Sequence, residues 1–213
     1  MAWYDVFSSF YDTSLEELYR PFREAVATRL ELAPGQRVLD AGCGTGQSFD
    51  VLAPAVGPTG LVVGLDLSTG MLDKARRRAE TKSFANVRLV QGSLLTLDRE
   101  TLGRELGEAL PAGRGFDRAL TFLVLSAMPE WEEVTERVWR LVEPGGLMVI
   151  ADAHAETLGL QGHLVNLTAR ADIRRRVWSR LEALSEGFTL ERLKAPASVG
   201  GDIVVAKGRR RSR

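Results

Sequence analysis

The chain has 213 residues, 45% hydrophobic and 26% charged, the composition of one ordinary globular domain with a sizeable core. Its 28 basic and 28 acidic residues cancel, so net charge exerts no overall pull toward nucleic acid or an anionic membrane. The lone Cys43 excludes an internal disulfide, and two histidines with one cysteine make a metal site unexpected. No run approaches the ~20 apolar residues of a membrane span. Asp5 and Asp12 interrupt the N-terminus where a signal peptide would be apolar, so the expected location is the cytoplasm.

Residues 2–12, AWYDVFSSFYD, are aromatic-rich. Ser14 and Glu17 then have capping-box spacing, which predicts a helix starting at Thr13-Ser14. Leu15, Leu18, Phe22, Val26 and Leu30 recur at helical intervals, while Pro21 predicts a kink or a restart. Residues 1–34 are thus expected to form an N-terminal helical segment. Beyond Pro34-Gly35, strands are expected at Arg37–Asp40, Leu61–Asp66, Val87–Gln91, Phe116–Leu123 and Leu147–Asp152. Helices are expected between them, from about Thr45 to Ala55, after Ser68 to about Lys82 with Arg76, Arg77 and Arg78 solvated, from Asp98 to Leu110 and from Glu130 to Val142. Such alternation demands an α/β fold with a mostly parallel sheet covered by helices on both faces.

The pattern changes at the end. Thr168–Leu184 reads as one long basic helix, and Phe188–Leu193 and Asp202–Lys207 read as two more strands, seven in all. Their short connection, containing Gly200-Gly201, permits an antiparallel hairpin and is too short for a crossover. One domain over residues 1–208 is expected, with residues 209–213 a disordered basic tail.

Residues 37–46, RVLDAGCGTG, carry the most information. Val38 and Leu39 lead to Asp40 at a strand end, and Gly42, Gly44 and Gly46 make a turn that side chains would obstruct. A loop of this kind lets backbone pack on a bulky ligand and leaves N–H groups at the next helix start free. Twenty residues past Gly46 the second strand ends in another acid, Asp66. A glycine loop after one strand and an acid after the next suit an adenosine-containing ligand. A dinucleotide fingerprint would need a third glycine at position 47, where the chain has Gln47, which counts against a nicotinamide oxidoreductase.

DAGCGTG, then GLDLS, then LVEPGG resembles the class I S-adenosylmethionine-dependent methyltransferases, from about Val38 to Asp152. The resemblance implies a Rossmann-like, mostly parallel seven-stranded sheet ending in an antiparallel hairpin. It also implies S-adenosylmethionine as cofactor, with S-adenosylhomocysteine as product. Asp40 would act near the methionine part, and Gly42, Cys43, Gly44 and Gly46 would form the loop, the Cys43 side chain a small apolar filler. Asp66 would accept from both ribose hydroxyls, or else serve only to balance the dipole of the helix that follows. Leu67 and Met71 would bed the adenine or simply pack in the core. Ser93 stands where the family usually has an acid for the adenine amino group, with backbone at Ser93 and Leu94 available to the ring edge. Thr121 would run beneath the methionine part, and Ser126-Ala127 replace a histidine pair common in relatives.

Acceptor-side candidates are fewer. Tyr11, with Asp12, matches a pair found in similar positions in quinone and phospholipid methyltransferases, in a segment that folds over the cofactor as a lid. Tyr4 reads as an anchor of that segment, and for Tyr11 anchoring and catalysis both stay open. Asp152 and His154 follow the fifth strand at the sheet edge where open α/β folds bind ligands. His154 is either a base near neutral pH or a loop histidine with a local partner.

From Arg170 to Arg213 there are twelve basic residues against five acidic ones. A basic helix carrying Trp178 is either a contact for anionic lipid, phosphorylated substrate or nucleic acid, or a solvated face over Ile173, Val177, Leu181 and Leu184. The expected function is methyl transfer to a small molecule, with a quinone precursor or phospholipid head group as acceptor. A non-catalytic S-adenosylmethionine-binding regulatory domain is the alternative, and nucleic acid as substrate is not expected.

Overall fold

The computed structural model describes residues 2–111 and 113–212, with side chains described from residue 16 onward. Seven strands, β1 (Arg37–Ala41), β2 (Leu61–Asp66), β3 (Val87–Gln91), β4 (Phe116–Phe122), β5 (Val142–His154), β6 (Glu186–Leu193) and β7 (Asp202–Arg209), form one sheet. Its order is β3-β2-β1-β4-β5-β7-β6. The first five strands pair in parallel, and β7 runs antiparallel to both β5 and β6. The expected α/β class and C-terminal hairpin are found.

Alternate residues on the central strands feed two apolar layers, one on each face. Leu39, Ala119, Met148 and Ile150 face one layer with Trp139 and Trp178. Val38, Leu120, Phe122 and Val149 face the other, under α1 (Ala2–Arg29), α2 (Phe49–Val56) and α3 (Thr69–Thr81). The remaining helices are α4 (Arg99–Leu106), α5 (Trp131–Leu141), α6 (Leu160–Ala169) and α7 (Ser179–Leu184).

Helix α1 differs from expectation in two ways. It starts at Ala2 rather than Thr13-Ser14, and it passes through Pro21 without a restart. A proline removes one hydrogen bond, and burial of Tyr19, Phe22, Val26 and Leu30 on the sheet offsets that loss. The end of α1 is tied to the sheet: Arg118 Nε and Nη2 donate to the carbonyls of Leu30 and Glu31. Glu31 in turn binds Lys207 and Arg209 at 3.1 and 2.6 Å. Arg78 is not solvated as expected, since it bridges Glu16 of α1 and Asp50 of α2 at 2.5 and 2.9 Å.

The expected helix at Thr168–Leu184 is two helices with an irregular segment between them. Arg170 takes a left-handed conformation (φ 50°) and ends α6. Asn166 Oδ1 then accepts from the Ile173 N–H at 3.0 Å, fixing the turn. The four-four-three spacing marks buried residues correctly, yet Ile173 enters one apolar layer while Val177, Trp178 and Leu181 enter the other. Trp178 is 2% exposed and offers no aromatic surface to a partner. The basic tail is shorter than expected too: β7 reaches Arg209, and Arg210 exchanges backbone hydrogen bonds with Gly145 and Gly146 at 2.8 Å.

Candidate functional site

Strands β1 and β4 lie side by side while their chain connections leave in opposite directions, β1 toward β2 and β4 toward β5. Ligands of open α/β sheets bind at the carboxyl edge of such a switch point. The glycine loop stands there, with φ of 79°, 55° and 76° at Gly42, Gly44 and Gly46. Those values explain why α2 begins at Phe49 and not at Thr45, since left-handed residues do not propagate a right-handed helix.

The loop is sewn to β2. The Gly42 and Cys43 N–H groups donate to the Leu65 carbonyl at 2.8 and 3.0 Å. The Gly44 N–H donates to Asp66 Oδ2 at 2.9 Å, and the Gly46 N–H to the Cys43 carbonyl at 3.0 Å. These four amides are therefore engaged within the protein. What the loop offers is a bare backbone surface. A Cβ on Gly44 would meet nothing within 4 Å, whereas one on Gly46 would lie 2.5 Å from Phe49 and 3.2 Å from the Ala75 backbone. Gly46→Ala is therefore expected to cost about 2–4 kcal/mol of stability through overpacking and backbone strain. Gly44→Ala is expected to cost about 1–2 kcal/mol at most, from strain alone, and to show its larger effect in ligand affinity. Urea unfolding and calorimetric titration of the two variants separate packing from contact.

Asp66 is half-buried, and its Oδ1 also accepts from the Ser68 N–H at 2.9 Å. The Leu67 N–H acts on the same carboxylate, whose oxygens together still keep an acceptor position. Burial raises its pKa, and the backbone donors of Ser68, Gly44 and Leu67 partly counter that. Ser68 caps α3 by accepting from the Met71 N–H at 3.2 Å. Leu67 is 56% exposed at the mouth of the site, an apolar platform next to Asp66, and Met71 is half-buried one turn along α3. Ser93 spends its hydroxyl oxygen on the Leu95 N–H at 3.2 Å, and the Leu94 side chain belongs to the core.

Asp40 is 1% exposed. Burial raises its pKa to about 7, against attraction from Arg23, and the Asp66 charge adds to the rise. Arg23, on α1, lies with its guanidinium 4.5 Å from the Phe122 ring centroid, and burial lowers its pKa to about 10. Tyr19 meets Phe122 edge-on at 6.2 Å. Arg23 Nε and Nη1 and Asp40 Oδ2 are buried without hydrogen-bond partners among the described residues. Such orphans are rare in a folded core and call for a partner. Buried donors facing a buried carboxylate complement a group with both negative and positive ends, such as the carboxylate and ammonium of an amino acid.

Arg23 was not legible as a site residue. Its signal is a charge set inside the apolar stripe of Tyr19, Phe22, Val26 and Leu30. Cys43 is a filler as expected, 8% exposed, with burial pushing its thiol pKa well up. Thr121 is fully buried, and its hydroxyl has no partner among the described residues. It neighbours Phe122 on β4, so its side chain points to the opposite sheet face from Arg23.

Tyr4 and Tyr11 fall on α1 where side chains lie outside the described residues. Asp152 is fully buried and binds the loop after β4: Ser126 Oγ and N donate to it at 2.6 and 3.0 Å. That loop presses on the glycine turn, since a Cβ on Gly42 would lie 2.7 Å from Val124. Leu123, at the end of β4, is held at φ 57°. Asp152 thus positions the β4 loop. His154 follows Asp152 on the same face of β5, 4% exposed and edge-on to Trp178 at 4.7 Å. Burial first, then Arg192, lowers its pKa. Its ring belongs to the Trp178 layer, opposite Asp40 and Arg23, and the structure does not bring it to them. Among the described residues no His, Cys, Asp and Glu group could hold a metal ion.

The strand order, the glycine loop after β1 and the acid ending β2 define a class I S-adenosylmethionine-dependent methyltransferase. The residues fit that cofactor: open space over Gly44, an acceptor position on Asp66, and orphaned charges at Asp40 and Arg23. A family described as a methyltransferase domain matches residues 32–184, and the chain belongs to it. A demethylmenaquinone methyltransferase from a Geobacillus species is 31% identical over 137 residues, 64% of this chain and 53% of the relative. The chain thus spans about half the length of such curated relatives. An O-methyltransferase family protein from Burkholderia thailandensis shares the fold at TM-score 0.70 and 16% identity, covering 98% of this chain and 60% of that one. A SAM-dependent methyltransferase from Aquifex aeolicus does so at TM-score 0.63 and 17% identity, covering 96% and 97%. No described helix is long and apolar enough to cross a membrane.

Proposed function

We propose that the protein methylates a small lipophilic acceptor, a quinone precursor before a phospholipid head group. The observation that carries the donor half is the paired set of orphans at Asp40 and Arg23 beside the open glycine loop. Arg23 would take the methionine carboxylate, Asp40 the positive end, and Asp66 the ribose hydroxyls, with Leu67 and Met71 against the adenine. When bound, that cofactor would supply a sulfonium methyl that is already electrophilic, which leaves the residues of this chain to hold and orient donor and acceptor.

What the protein adds is placement. Holding a nucleophile in line at near-attack distance supplies most of such an acceleration. The acceptor half rests on the name of the Geobacillus relative. Tyr11, on the same helix as Tyr19 and Arg23, is the acceptor-side residue in this reading. Tyr11→Phe should lower turnover about tenfold or more while cofactor affinity stays within about twofold. Wild-type turnover in that variant would reduce Tyr11 to packing.

The first test is transfer of a labelled methyl group to demethylmenaquinone, phosphatidylethanolamine and a polar amine in parallel. Transfer to the quinone alone supports the reading, and transfer only to the amine overturns the lipophilic acceptor. Binding of S-adenosylmethionine without transfer to any acceptor would favour the regulatory domain. That second reading draws on Ser93, an uncharged side chain whose oxygen accepts from the Leu95 N–H of its own turn.

A further inference from the structure

Helix α6 carries no Asp, Glu, Lys or Arg over Leu160–Ala169. Gly162, Val165 and Ala169 lie toward the protein on one side of it, buried or half-buried. Leu160, Leu164 and Leu167 recur at four and three residues on the opposite side, where they are 85%, 55% and 75% exposed. Gln161 and His163 are exposed beside this stripe, and a contiguous exposed apolar stripe marks a docking surface. Directly after α6, the segment from residue 170 to 176 contains four arginines and one acid. Arg175 turns inward, donating to the Met128 carbonyl at 2.9 Å. Arg170, Arg174 and Arg176 are exposed, and the acid, Asp172, is drawn to Arg174 and Arg175 at 3.3 and 3.7 Å.

We propose that the outer face of α6, with the arginine-rich segment that follows it, docks the protein on an anionic lipid surface. Apolar side chains sinking below the head groups and cations meeting the phosphates are the two requirements of an interfacial helix, and both are present in one stretch of 17 residues, 160–176. A second copy of the chain is the poorer occupant. Three leucines offer a few hundred Å², well short of the roughly 800 Å² per partner of a standard protein interface. The docking face also stands at the useful end of the molecule. Helix α6 starts six residues after β5 ends, at the carboxyl edge that carries the glycine loop and Asp66. The proposal does not depend on the acceptor being lipophilic, because its test reads binding and not methyl transfer.

The experiment is co-sedimentation of the full chain with vesicles of phosphatidylcholine, with and without about one third phosphatidylglycerol. The wild type should bind the anionic vesicles at least tenfold better than the neutral ones and release them as salt rises. A triple variant, L160Q, L164Q and L167Q, changes only exposed positions and should lose at least tenfold in bound fraction. The double variant R174Q and R176Q should lose the preference for anionic vesicles. Unchanged circular dichroism and unchanged S-adenosylmethionine affinity in both variants show that the fold and the donor site survive. Absence of wild-type binding, equal binding to both vesicle types, or binding untouched by the leucine changes overturns the proposal. So does a concentration-dependent dimer in sedimentation velocity that the leucine variant abolishes.

Discussion

Asp66→Ala is expected to weaken S-adenosylmethionine binding by about 3 kcal/mol or more, roughly a hundredfold or greater. The carboxylate gathers the Gly44 and Ser68 N–H groups at 2.9 Å each, so it shapes the loop as well as facing the ligand. Its removal takes away the acceptor for the ribose and slackens the glycine turn together. Asp66→Asn keeps one of the two acceptors. Its amide oxygen can take the Gly44 or the Ser68 N–H, while its NH2 group meets the other donor, so the loop should loosen and the melting temperature should fall. Affinity should drop about tenfold or more, because charge-assisted bonds are lost as well. Calorimetry showing wild-type affinity in Asp66→Ala would remove Asp66 from the ribose site.

The second large effect is a proton. Asp40 has a pKa near 7 in the folded protein, against an ordinary value of 3.8, because it is buried and lies near Asp66. An acid with a raised folded pKa favours the native state when protonated. Its contribution is complete below pH ~4, declines as pH rises toward ~7, and is gone above that. Its scale is of the order of a few kcal/mol. Asp40→Asn should erase that slope and leave the protein more stable than wild type at pH 8.

Cofactor binding has the opposite sign. A cationic ligand favours the carboxylate, so binding below pH ~7 expels a proton, and affinity should climb with pH until about 7. Titrations in buffers of different ionisation enthalpy count that proton directly. Asp40→Asn should show no release and a flat pH profile. Proton release that persists in the variant would assign the titration to another group.

Where the sequence could be read and where it could not follows from the kind of information each element needs. Strands β2 and β3 were legible to the residue, since each is a short apolar run bounded by turn residues. The glycine loop and Asp66 were legible for the same reason, being adjacent in sequence to the elements that place them. The segment from residue 170 to 176 was not. Its periodicity marked burial correctly, but period alone does not say that Ile173 and Trp178 enter opposite layers. Arg23 was hidden because its meaning comes from Asp40 and Phe122, which arrive from two different strands. His154 misled through proximity: two residues after Asp152 it shares a strand face, and that face is the Trp178 layer.

The hairpin that finishes the sheet has a bearing on solubility. Its outer strand, β6, is exposed along most of its length and bears Glu186, Glu191 and Arg192. The opposite rim, β3, sets Arg88 and Gln91 toward solvent. Charged rims discourage one sheet from extending into another. Strand β5, immediately inside the hairpin, is buried throughout from Gly146 to His154 and holds Met148, Val149 and Ile150 in a row. Were β7 and β6 to peel away, that row would become a largely apolar open edge, a template for aggregation. The hairpin is thus the sheet's guard against self-association, and substitutions that loosen β7 should show first as precipitation on storage.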